Sequence, residues 1–106
     1  MTSLTTTEPT DRLSPIHPGE VLMEDFLEGF VITQHKLAVA IGVPPRRINE
    51  IVHGKRAITA DTALRLSRYF GTTAQFWLNL QTAYDLDLAE ERISEQLTGI
   101  SPIHAA

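Results

Sequence analysis

The sequence predicts an all-α fold of five helices. Three observations carry this expectation. Apolar residues recur at three- and four-residue spacing from residue 17 to residue 97, each such run has a Thr or Pro before it and a Gly after it, and sustained apolar–polar alternation is absent. The first run opens with Pro18, whose fixed φ suits a first helical position. Val21, Leu22, Phe26 and Leu27 follow at helical spacing until Gly29, so helix one is expected over residues 18–28. Thr33 can cap helix two through its hydroxyl, with Leu37, Ala38 and Ile41 inward and Gly42 after them. Pro44 and Pro45 give helix three a rigid start. Ile48, Ile51 and Val52 form its inner face, Arg46, Arg47, Asn49 and Glu50 its outer one, and it ends near His53. Thr59 opens helix four, in which Ala63, Leu64, Leu66 and Phe70 recur before Gly71. Thr73 opens a longer fifth helix reaching Leu97, with Phe76, Trp77, Leu80, Tyr84 and Leu88 in its apolar stripe.

Residues 1–16 hold Pro9, Pro15 and a Thr run and are expected to form a flexible arm. Residues 17–98 form the helical domain and residues 99–106 a tail. At 106 residues, 42% hydrophobic and 21% charged, the chain has the composition of one ordinary globular domain. It contains no cysteine, which rules out disulfides and thiolate metal sites, and its four histidines share no ligand spacing, so neither metal nor cofactor is expected. No run approaches the roughly 20 apolar residues of a membrane span, and no signal-peptide core is present, so a cytoplasmic location is expected. An enzyme is not expected: the chain lacks His-Glu-x-x-His, a Gly-rich phosphate loop and Gly-x-Ser-x-Gly.

The net charge of −4 hides a strong asymmetry. Residues 1–32 set one Arg against six carboxylates and residues 57–106 set three Arg against six, whereas residues 33–56 set Lys36, Arg46, Arg47, Lys55 and Arg56 against Glu50 alone. A localised basic patch on an acidic protein is an electrostatic footprint for a polyanion. The same segment carries the spacing of a helix-turn-helix. Ala38 is small where two helices must approach, Gly42 four residues later can take a left-handed turn, and Ile48 and Ile51 follow six and nine residues after that to lock the second helix.

With those residues in place, Gln34 to Phe70 resembles the lambda-repressor-like, Cro/C1-type helix-turn-helix family, including Gly54-Lys55-Arg56 after the recognition helix. More narrowly, His17-Pro18-Gly19-Glu20-Val21-Leu22, the run Gly54 to Thr59, and Gln75-Phe76-Trp77-Leu78-Asn79-Leu80-Gln81 are similar to the HigA antitoxin branch. One departure is Pro44-Pro45, where relatives often carry Ser or Thr, so a phosphate-bonding hydroxyl is missing. The resemblance implies a cytoplasmic antitoxin that neutralises a small basic HigB-like ribonuclease and, as a homodimer, binds double-stranded operator DNA to repress its own operon. A stand-alone repressor would carry the same motifs.

Physical roles follow for an interface of Gln34, Pro45, Arg46, Arg47, Asn49, Glu50, His53, Lys55 and Arg56. Arg46 can pair with guanine acceptors and Asn49 with adenine. Gln34 is placed for a phosphate, and Arg47, Lys55 and Arg56 supply sequence-independent charge. Glu50 either accepts from cytosine or pairs with Arg46 or Arg47. His17 is expected to cap or pack at a helix start. The stripe Phe76, Trp77, Leu80 and Tyr84 exceeds what a small core needs, and is expected as a dimer seam with plain core as the alternative. Glu20, Glu24, Asp25 and Glu28 form an acidic face, either for a basic partner or simply solvated.

Overall fold

The computed structural model describes residues 15–104, whose regular structure is entirely helical. The expected flexible arm therefore lies outside the described residues except for Pro15 and Ile16.

The first helix, α1, spans residues 18–30 as three joined pieces: an α-turn Pro18–Val21, a π-helical stretch Leu22–Leu27 and a final turn Glu28–Phe30. Within it the Glu28 N–H reaches five residues back to the Met23 carbonyl. The wider turn puts Leu22 and Leu27 on one buried face, although an α-helix would rotate residues five apart well away from each other. Gly29 does not end the helix as expected. The chain continues to Phe30 and stops at Val31, which takes the left-handed conformation at φ 56°, strained for a β-branched residue. The Ile32 N–H then closes the end by bonding the Leu27 carbonyl at 2.9 Å.

His17 starts this helix. Its Nδ1 accepts from the Gly19 N–H at 2.9 Å, and its ring meets Tyr84 edge-on at 4.8 Å, so the expectation of a capping and packing residue agrees with its surroundings. Burial pushes the imidazole pKa down, with Glu20 and Asp85 opposing the shift. The unfolded chain consequently binds this proton more readily than the folded one. The contribution of His17 is complete above its ordinary value of about 6.5, and is lost as pH falls through that value towards the lower folded one. His17→Asn keeps a cap acceptor but cannot charge, so denaturation midpoints measured from pH 7.5 to 5 should fall less steeply in this variant. Parallel curves would show that His17 carries none of the dependence.

Helix α2, Gln34–Ile41, is capped by Thr33 Oγ1, which accepts from the Lys36 N–H at 3.0 Å. It closes at Gly42 in the left-handed conformation, φ 74°, while the Val43 N–H reaches the Ala38 carbonyl at 3.0 Å. Helix α3, Pro45–Val52, follows directly, and the fully buried Leu37, Ala38, Ile48 and Ile51 join the pair. Helices α4, Ala60–Phe70, and α5, Ala74–Arg92, are capped by Thr59 and Thr73 through their hydroxyls. They close the core with Thr62, Ala63, Leu66 and Trp77.

Three expectations are corrected here. Leu64 points away from the core and is 62% exposed. Trp77, expected at a dimer seam, has no accessible surface: its ring packs tilted against Phe26 at 4.8 Å and its Nε1 donates to Thr72 Oγ1 at 2.8 Å. The fifth helix breaks at Ile93, φ −114°, and a separate short helix α6 occupies Ser94–Thr98. Residues 90–104 are all exposed, so little tertiary packing holds a continuous helix here and weak local propensity decides more.

Candidate nucleic-acid interface

The outward face of α3 is built by its own amphipathicity. Ile48 and Ile51 are buried, which turns Arg46 and Asn49 to solvent, with Arg47 and Glu50 half-buried at the flanks. Pro44 precedes the helix at φ −63° and supplies no side-chain cap, consistent with the missing hydroxyl there, and Pro45 occupies the exposed first position. The start of α2 contributes Gln34, whose Oε1 accepts from Asn49 Nδ2 at 3.2 Å. These two residues, fifteen apart in sequence, thus present one joined amide surface. At the other end of α3 the exposed His53 ring lies 2.8 Å from the Asn49 carbonyl through Nδ1, and Lys55 and Arg56 follow on an exposed turn.

The arginines do not stand free. Glu50 Oε2 holds Arg46 Nε at 3.1 Å and Glu50 Oε1 holds Arg56 Nε at 2.8 Å. Of the two alternatives for Glu50, pairing with Arg46 is therefore present, but Arg47 pairs elsewhere and Arg56 takes the second oxygen. The Arg56 hydrogen bond, followed by that from Arg46, keeps the Glu50 carboxyl below the usual glutamate range against some desolvation. Arg47 Nη1 reaches Asp61 Oδ2 on α4 at 3.2 Å, and Asp61 also holds Arg65 Nε at 3.0 Å. Arg65 Nη1 in turn donates to the Ile41 carbonyl at 2.8 Å, satisfying the end of α2. Lys36 and Lys55 have no ion pair among the described residues.

Asp61, Arg65 and Gln81 were not legible as parts of this interface. Gln81 is buried on α5, where its Oε1 accepts from the Ile58 N–H at 2.8 Å and its Nε2 donates to Asp85 at 3.0 Å. It fixes the segment that carries Lys55 and Arg56. A polar residue on the inner stripe of an apolar helix was the available signal. Asp61 and Arg65 form an i,i+4 pair, but nothing local to α4 says that they continue to α2 and α3. Of the expected seam, Phe76 is 37% exposed, while Leu80 and Tyr84 are half-buried and Tyr84 lies against His17. Leu86, Ile93 and Leu97 are exposed further along and line a groove of about 380 Å³.

The family model described as Helix-turn-helix, HTH_3, matches residues 32–77, from the approach to α2 to the first turn of α5. Antitoxin HigA-1 of Vibrio cholerae is 36% identical over 89 residues, 84% of each chain. The solved structure of Pseudomonas aeruginosa antitoxin HigA with the higBA promoter is 46% identical and superposes with a TM-score of 0.81, covering 85% of this chain and 99% of that one. This chain belongs to the HigA antitoxin family. Virulence-associated protein I of Dichelobacter nodosus is also similar, 58% identical over 81 residues, or 76% of this chain and 75% of its relative. The His17–Leu22 and Gln75–Gln81 runs have structural work to do in this fold. The first brings Gly19 against the Ile51–Val52 backbone of α3, and the second supplies Trp77 to the core and Gln81 to the loop after α3. No helix among the described residues is long and apolar enough to cross a membrane.

Proposed function

We propose that this chain is a cytoplasmic antitoxin and autorepressor, which binds the operator of its own operon as a homodimer through α3 and neutralises a small basic ribonuclease toxin of the HigB type. The observation that carries this is the 46% identity, over 85% of the chain, to a HigA solved with its promoter. The local charge supports it, since the basic excess of the chain is confined to residues 33–56. Arg46 and Asn49 are the base-reading residues, Arg47, Lys55 and Arg56 meet phosphates, and Gln34, Pro45 and His53 flank them. Two copies pair through α5, with Phe76, Leu80 and Tyr84 contributing. This gives the two-fold protein that paired half-sites require. The protein is a binding protein rather than an enzyme, in line with the antitoxin name of its Vibrio relative.

Titration of its own promoter against a scrambled duplex at several salt concentrations tests the repressor half, and growth rescue on co-expression with a neighbouring ribonuclease gene tests the antitoxin half. Equal affinity for both duplexes would overturn the first, and absence of rescue the second. In the same titration, Arg46→Ala should weaken operator binding roughly ten- to hundredfold and relax preference at one base position. Lys55→Ala should instead weaken every duplex alike and lower the salt slope by about one.

A further inference from the structure

A single carboxylate brackets two arginines of the basic surface, at a cost to DNA binding: it places a negative charge where phosphates would approach. We propose that Glu50 is a positioning residue for sequence reading, which holds the Arg46 and Arg56 guanidinium groups by their Nε sides so that their terminal Nη donors face outward. The inference rests on the operator-binding function proposed above. Each Glu50 oxygen takes one Nε, at 3.1 Å from Arg46 and 2.8 Å from Arg56, and no protein acceptor for an Nη atom of either is present among the described residues. A guanidinium carries five donors in a fixed fork, so a bond at Nε leaves the end-on pair free to meet guanine O6 and N7 or a phosphate.

The two arginines come from different segments, one from the first turn of α3 and one from the loop after it. The Arg46 side chain is 85% exposed and that of Glu50 only 25%. An arginine so exposed would sample many rotamers without a fixed partner, and ordering it would then oppose binding. Glu50 is itself held between the two cations, and the Lys55 N–H bonds its backbone carbonyl at 2.8 Å. The bracket therefore trades non-specific attraction for direction: it lowers the net positive charge of the surface while aiming what remains.

The test compares wild type, Glu50→Ala and Glu50→Gln on operator and scrambled duplexes, with 7-deazaguanine placed at each operator guanine in turn. Surface pairs of this kind contribute little to folding, and thermal unfolding checks each variant. Glu50→Ala should bind scrambled DNA as tightly as wild type or tighter, lose about tenfold in the operator-to-scrambled ratio, and respond less to 7-deazaguanine at the position read by Arg46. Glu50→Gln, which keeps one acceptor but no charge, should fall between. If both variants tighten all duplexes equally with the ratio and the 7-deazaguanine penalty intact, Glu50 is only a repulsive charge and the inference is overturned. A wild-type protein without operator selectivity would instead remove the operator-binding function, and the positioning role with it.

Discussion

Trp77→Ala is expected to cost about 3–5 kcal/mol of folding stability, the range for truncating a fully buried aromatic. The side chain has no accessible surface, packs near Phe26 at 4.8 Å and Phe76 at 5.0 Å, and donates its indole N–H to Thr72. Alanine removes all of these contacts and leaves the Thr72 hydroxyl without its partner. A domain of this size has about 5–15 kcal/mol in total and loses roughly 4–8 °C of Tm per kcal/mol, so the variant should melt well below wild type. Denaturant titration at two protein concentrations separates core from seam. A core residue costs the same at both, whereas a residue whose burial depended on pairing would show a loss that varies with concentration. The second pattern would contradict the placement of Trp77 inside the protomer.

Gly19→Ala should be almost as damaging, despite adding one methyl group. A Cβ at this position would overlap the Ile51 carbonyl oxygen, lie 2.7 Å from the carbonyl carbon and 3.0 Å from Val52 Cα. All three obstacles are backbone of α3 and cannot rotate away, so relief requires α1 to move off α3. Overpacking of this kind costs about 1–3 kcal/mol, and backbone against backbone places the expectation at the upper end. Because the displaced helix is the one proposed to enter the DNA, operator affinity should also fall at a temperature where the variant is still fully folded. Gly29→Ala is the matched control. A Cβ there meets nothing within 4 Å, and replacing a helical glycine should stabilise by up to about 1 kcal/mol. Equal melting temperatures for the two variants would show that α1 does not press on α3 as described.

Much of the helical outline was legible because its signals are local. Thr33, Thr59 and Thr73 cap through their own hydroxyls within three residues, and Gly42 ends α2 through its own backbone freedom. The helix-turn-helix followed for the same reason, since Ala38, Gly42, Ile48 and Ile51 lie close together along the chain. The end of α1 was missed at Gly29 because a glycine inside a helix looks the same in sequence as one that stops it. The distinction came from Leu27, whose carbonyl bonds the Ile32 N–H and carries the helix to a strained Val31. Leu64 fitted the apolar spacing of α4 yet is exposed, because periodicity identifies a face and not the width of what covers it.

By itself, the sequence determined that this protein is all-helical, that its positive charge is gathered on residues 33–56, and that a helix-turn-helix carries it. Caps, turns and periodicity act over three to seven residues, and short-range interactions of that kind do not wait for the rest of the fold. Only the tertiary structure decided that Trp77 is core, that Gln81 holds the Ile58 N–H, that Asp61 joins Arg47 to Arg65, and that the second oxygen of Glu50 takes Arg56. Many of these contacts join different helices or a helix to a distant loop. Which side chains meet across a packing interface depends on helix rotation and approach, such as the π-helical turn in α1 and the contact at Gly19, and no local spacing encodes either.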